Sequence, residues 1–168
     1  MEVPVTLIAK GLSQPDSQVL LEARQQAAMI YDHIDVSLVW TDDSALDEES
    51  GPVRFVAIVL SDARTDQFLR GSEMPPSVLG VAPYQTGRVY LFWDRIVRRA
   101  RENDVLPQIV LARVLAHEIG HHLLPLQGHS DSGIMRPTVD YRVGEPPAFT
   151  LTQAASIRQF LSAASAGD

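Results

Sequence analysis

The segment 105–124 is predominantly apolar and is predicted to form one long helix. The helix should end before Pro125, because proline disfavours helical geometry in the residue that precedes it. Near its end stands the polar sequence His117-Glu118-Ile119-Gly120-His121. Its two histidines are four residues apart, so both imidazoles leave the same face of the helix, one turn apart. The sequence therefore predicts a helix that carries a pair of neighbouring imidazoles.

Two imidazoles at this spacing can bind one Zn²⁺ at about 2.0–2.1 Å. Glu118 lies about 100° further round the helix than His117, so it need not coordinate the ion. It can act instead as a general base toward water that the metal activates, which is the arrangement of the HExxH pattern. Chance alone would produce this pattern in roughly 1 % of chains of similar composition. The position of this pattern in a long apolar helix therefore favours a zinc site over a chance match.

A catalytic zinc ion needs three protein ligands and one open position. His129 follows Gly128 after the predicted end of the helix, where a turn can bring it back over the metal, and it is our first candidate. Asp131 is the second candidate, and the residues alone leave this choice open. His122 points elsewhere on the helix and is expected near the site or at the surface. Glu145 lies in a proline-rich stretch, which makes it a poorer ligand candidate.

The remaining elements follow from hydrophobic periodicity and from breakers. Helices are predicted at about 16–32, 94–103 and 105–124, and the last one runs from a Thr150–Gln153 capping box to about residue 163. The segments 61–78 and 125–149 are predicted to be loops. Strands are predicted at 3–10, 36–41, 53–60, 79–83 and 88–93. This order indicates an α+β fold with an edge strand at 79–83, where Pro83 cannot donate to a ladder.

Composition excludes several classes of function. The net charge is −7, and Lys10 is the only lysine, so nucleic acid is not an expected partner. The spacing of four arginines predicts a solvated helix face; they are Arg95, Arg98, Arg99 and Arg101. The absence of cysteine excludes thiolate ligands and a cysteine nucleophile. No apolar run is long enough to predict a membrane span. A cytoplasmic location and secretion after removal of a signal peptide are both compatible with the sequence, which also leaves the oligomeric state open.

The stretch HEIGHHLLPLQGH, followed by Ser132-Gly133-Ile134-Met135, resembles the metzincin clan of zinc peptidases. The clan has the signature HExxHxxGxxH and a turn with a methionine beneath the metal. Here Leu124 stands where the signature has glycine, and His129 comes eight residues after His121 instead of six. The chain therefore resembles a compact, archaemetzincin-like variant with the pattern HExxH-x7-H and a nearby Met-turn at Met135.

The resemblance implies a metzincin-like zincin fold: a twisted mixed sheet with an antiparallel edge strand, an active-site helix and an irregular C-terminal part with one last helix. It implies one catalytic domain over 1–168, divided into a sheet and zinc-helix part at about 1–127 and a C-terminal part at about 128–168. The implied activity is that of a zinc endopeptidase on a peptide or protein substrate, with Glu118 as base and Tyr141 or Arg136 as oxyanion stabiliser. The alternative is a catalytically inactive zinc-binding module of the same fold.

Overall fold

Alternating apolar runs and helical patterns form an α+β fold with one mixed sheet in the computed structural model, which describes residues 1–10, 14–41, 53–124, 128–139, 141 and 147–166. The strands are β1 (Glu2–Lys10), β2 (Ser37–Thr41), β3 (Phe55–Leu60), β4 (Gly80–Val81) and β5 (Arg88–Phe92). The helices are α1 (Ser17–Asp32), α2 (Asp62–Phe68), α3 (Trp93–Glu102), α4 (Pro107–Leu123) and α5 (Leu151–Ala166).

The sheet has the strand order β2-β1-β3-β5-β4. β1 runs parallel to β2 and β3, and β3 runs parallel to β5. Parallel neighbours require crossover connections, and α1 and α2 lie in two of them. β3 has the nearly continuous apolar sequence of a parallel strand covered on both faces, and five of its six residues are buried. β4 pairs antiparallel with β5 and forms the edge, as the sequence predicts.

Helix α4 is buried along almost its whole length between α1, α3 and the β4–β5 edge. It begins with Pro107 in its first turn, where the missing N–H has no helical partner to lose. Its apolar side chains belong to one large core cluster that includes β1, α1 and α5. A smaller cluster on β3 and β5 contains Ile58, Leu60 and Phe92. The polar residues His117 and Glu118 are therefore held inside the main core.

Two predicted elements need correction. Part of the predicted loop at 61–78 is helix α2, which follows Ser61 at the N-cap position and carries Asp62 in its first turn. The breakers Gly71 and Pro75 lie only after this helix, so nothing local prevents it. The ring of Phe68 packs against Tyr90 at a centroid distance of 4.4 Å, and this contact lies outside any local pattern. The edge strand is also shorter than the predicted 79–83, because only Gly80 and Val81 pair with β5.

The capping box of the last helix is confirmed. Gln153 Oε1 accepts from the backbone N–H of Thr150 at 3.0 Å, and Thr150 Oγ1 accepts from the backbone N–H of Gln153 at 3.2 Å. The cap therefore fixes where α5 begins. Among the described helices, none is long and apolar enough to cross a membrane.

A buried hydroxyl joins α1 to α4. Tyr31 is fully buried, and its hydroxyl donates to the carbonyl oxygen of Ala116 at 2.8 Å, one residue before the first histidine of the motif. We expect Tyr31→Phe to lower the free energy of unfolding by about 1–2 kcal/mol, because the buried carbonyl loses a partner. Urea denaturation measures this change. The matched control is Tyr84→Phe at a side chain that is 65 % exposed, which should change stability by less than about 0.5 kcal/mol.

Candidate metal centre

Three histidines converge at the end of α4. The side chains of His117, His121 and His129 each offer one nitrogen, and these nitrogens all lie within 4.8 Å of one another. The Nε2 atoms of His117 and His121 are 3.1 Å apart. Two nitrogens bound to one tetrahedral zinc ion would be about 3.3 Å apart, given bonds of about 2.0–2.1 Å. The predicted proximity of the three histidines is confirmed, and the cluster could hold a metal ion.

A backbone carbonyl orients the first of these rings. His117 Nδ1 lies 2.8 Å from the carbonyl oxygen of Ile134. A carbonyl can only accept, so Nδ1 carries the proton and Nε2 presents its lone pair to the cluster. A hydrogen bond from the non-ligating nitrogen to a carbonyl is the common way in which metal-binding imidazoles are held. The tautomer of His117 therefore suits a metal ligand.

The two imidazoles on α4 are also in the protonation state that a metal ligand needs. The pKa of His121 is lowered to about 4, mainly because the ring is buried and also because His117 and His129 lie close to it. Burial likewise lowers the pKa of His117. Both imidazoles are therefore neutral at pH 7, as metal coordination requires. The donor set fits a divalent cation that prefers imidazole nitrogen, such as zinc.

His129 is held from the side of α5. Its neighbour Ser130 donates its backbone N–H to the carbonyl of Met135 at 2.9 Å. The side chain of Gln153, which caps α5, donates to Ser130 Oγ at 3.0 Å. These bonds close the segment 130–135 into a turn and tie it to α5. The turn therefore gives the exposed imidazole of His129 a defined position next to the α4 histidines.

Close packing explains the glycine inside α4. A Cβ atom on Gly120 would lie 2.5 Å from Met135 Sδ and 3.2 Å from Phe149 Cε1, which is too close. Met135 itself is fully buried. The glycine thus leaves room for the methionine of the predicted Met-turn.

Glu118 faces the same cavity as the histidines, at 7 % exposure. Gly80 of the edge strand lies against it, since a Cβ atom on Gly80 would come within 3.0 Å of Glu118 Cγ and Val114 Cγ1. Burial raises the pKa of Glu118 to about 8, because the charged carboxylate loses its hydration. A cation held by the three histidines would favour the carboxylate and reverse this effect.

The site opens into a cavity of about 780 Å³. Tyr141 lines this cavity and is buried, whereas Arg136 is exposed and is not among the described lining residues. Asp131 is exposed and lies outside the cluster of nitrogen ligands. His122 lines the cavity but is not part of the ligand cluster: its ring stacks on Phe55 and its Nε2 lies 2.9 Å from the carbonyl oxygen of Arg88. Glu145 falls outside the described residues.

The sequence interpretation missed two residues of the cavity. A lone glycine in a strand signals close backbone approach, and this signal could have identified Gly80. The solvated face predicted for the α3 arginines is wrong for two of them. Arg95 donates to the carbonyls of Pro75 and Val78 at 3.0 and 2.9 Å, and Arg99 lines the cavity. These two residues are one turn apart and share a face that turns inward, a direction that only helix packing sets.

No family model and no curated protein matches the chain. Among solved structures, it is similar to the solution structure of TM1509 from Thermotoga maritima, with 13 % sequence identity and a TM-score of 0.44. This match covers 94 % of the chain and 87 % of TM1509. A similarity of this size carries no argument about function. The resemblance to metzincins therefore rests on the motif residues alone.

The convergence of three histidines predicts their separate contributions to metal binding. We expect His129→Ala to weaken zinc affinity by more than the about 10–100-fold that loss of an outer partner costs. Asp131→Ala is the matched control, since it changes an exposed residue two positions away and should keep full zinc content. Competition with a chromogenic chelator measures both. Full zinc affinity in His129→Ala, together with its loss in Asp131→Ala, would show that Asp131 is the third ligand.

Proposed function

We propose that the chain is a zinc-dependent peptidase of the metzincin type, with Glu118 as its general base and His117, His121 and His129 as its metal ligands. One observation carries the proposal: a buried carboxyl shares an open cavity with three convergent imidazoles. A purely structural zinc site has no use for a base beside its ligands. It would also fill its fourth position with protein, whereas here only three described residues form the cluster.

The chain's own residues supply the proton chemistry. A bound zinc ion would supply Lewis-acid chemistry, lowering the pKa of a water molecule toward neutrality and polarising a carbonyl. Glu118 takes the proton of the attacking water on its carboxylate and returns it to the nitrogen of the leaving amine. Its burial keeps bulk water from competing for that proton. Gly80 supports this role, because the absence of a side chain at this position leaves room for the carboxyl.

Tyr141 is the better of the two oxyanion stabilisers considered from sequence. Its side chain lines the cavity, and burial raises its pKa to about 12. The hydroxyl therefore stays protonated at neutral pH and can donate to a carbonyl oxygen as negative charge develops there.

A peptide substrate fits the edge of the sheet. Val81 and Ala82 line the cavity beside the histidines, and β4 is an edge strand to which an extended peptide can add by main-chain hydrogen bonds. A second cavity of about 430 Å³ shares Tyr84, His121 and His122 with the first. Space on both sides of His121 supports cleavage within a chain, that is, endopeptidase activity.

The role of Glu118 predicts a loss of turnover without a loss of metal. Glu118→Gln should keep its zinc and lower the rate of cleavage of a mixed peptide library by about 10²–10⁴-fold, the range that general-base catalysis contributes. Mass spectrometry of the library measures cleavage, and elemental analysis measures zinc. Glu73→Gln, at an exposed position, is the control and should cleave as the wild type does. A zinc-loaded wild type that cleaves no peptide would instead favour an inactive zinc-binding module.

The role of Tyr141 predicts a change in kcat rather than in KM. Tyr141→Phe keeps the ring but removes the donor, so kcat should fall by about 10²–10³-fold, as for loss of one oxyanion donor. Steady-state kinetics on a peptide found in the library measures both constants, with zinc content as the control for folding. An unchanged kcat would remove Tyr141 from the mechanism.

A further inference from the structure

The cavity that the histidines line also has a positively charged residue, Arg99, in its wall. Arg99 belongs to α3, which packs against α4, and its side chain lines the cavity while remaining only 23 % exposed. Among the described residues that line the cavity, Arg99 is the only arginine or lysine, and Glu118 is the only carboxylate. Much of the remaining wall is apolar and includes Leu79, Val114 and Val139.

The guanidinium has bonding capacity left for a ligand. Its Nε donates to Glu102 at 3.1 Å, and Glu102 is 56 % exposed. Such a pair is weak, because water screens the carboxylate. A guanidinium has five N–H donors in a planar fork, so this bond leaves donors for a second carboxylate. An apolar surrounding strengthens attraction between the guanidinium and such a carboxylate.

Tyr141 lines the same cavity as Arg99 and the proposed general base Glu118. After burial, Arg99 and Glu118 are the next two influences on the pKa of Tyr141: Arg99 lowers it and Glu118 raises it. A substrate whose scissile carbonyl approaches Glu118 and Tyr141 would have a neighbouring side chain within this part of the cavity.

We propose that Arg99 is a specificity-determining residue, which selects substrates with an aspartate or glutamate next to the bond that is cleaved. This inference rests on the proposed peptidase function. The net charge of −7 gives acidic peptides no long-range attraction to the chain. The preference must therefore arise from local contact with Arg99 inside the cavity, where a neutral isostere would lose the charge-assisted bond.

The test begins with the sites that the zinc-loaded wild type cleaves in a mixed peptide library. Matched peptides then differ only by glutamate or glutamine at the acidic position beside the cleaved bond. We expect kcat/KM to be at least about tenfold higher for the glutamate peptide, since one hydrogen bond to a charged group is lost in the other. Arg99→Gln should bring this ratio close to one, and Arg99→Lys should keep part of the preference.

Arg98→Gln is the matched control, because it removes the same charge from an exposed position on the same helix. It should keep the wild-type ratio. A ratio near one in the wild type, or an unchanged ratio in Arg99→Gln, would overturn the inference and leave the peptidase proposal standing.

A binding measurement separates the two proposals. Zinc-loaded Glu118→Gln should bind the glutamate peptide at least about tenfold more tightly than the glutamine peptide, and adding Arg99→Gln should abolish the difference. If the wild type cleaves nothing, the matched pair is taken instead from library peptides that bind the zinc-loaded chain. Arg99-dependent binding would then overturn the peptidase proposal and leave Arg99 as a residue that selects acidic peptides. Equal binding of both peptides contradicts the inference, whatever the activity.

Discussion

Two backbone hydrogen bonds of Ile134 hold the site together. Its carbonyl accepts from His117 Nδ1 at 2.8 Å, and its N–H donates to the carbonyl of Ala148 at 2.9 Å. One residue of a turn is thereby tied both to α4 and to the segment that leads into α5. Gly133 makes the turn possible: its φ is +74°, and a Cβ atom there would collide with the Ala148 carbonyl. The position of Met135 and the ring orientation of His117 both depend on this turn.

Small residues let the turn and the edge strand approach α4 closely. Because Gly120 has no side chain, Met135 of the turn can pack against α4. Because Gly80 has no side chain, the edge strand can pack against Glu118 of α4. The resulting burial disfavours charge on Glu118, whose pKa rises, and on His121, whose pKa falls. The charged form of Glu118 is therefore unfavourable in the metal-free site, and a bound cation would offset this electrostatic cost. This is the kind of local cost that folded proteins accept at functional sites.

Charge acts on two length scales in this protein. The excess of acidic residues sets the field that a substrate meets at a distance, and salt screens that field within about 10 Å at 0.1 M ionic strength. Inside the cavity, apolar walls weaken this screening, and among the described lining residues the carboxyl and guanidinium groups are those of Glu118 and Arg99. Composition therefore gives a poor account of which substrates the cavity favours. In the selectivity that we propose, the orientation of one arginine on α3 matters more than the net charge.

Features that depend on neighbours along the chain could be predicted from the sequence. They include the helical spacing of His117 and His121, the cap of α5 and the edge position of the strand near Pro83, because these follow from backbone geometry within a few residues. The sequence left open whether His129 or Asp131 lies beside the α4 histidines, and it missed α2 and the inward direction of Arg99. These points depend on contacts between elements far apart in sequence, whose packing no local period encodes, so they became visible only in the folded chain.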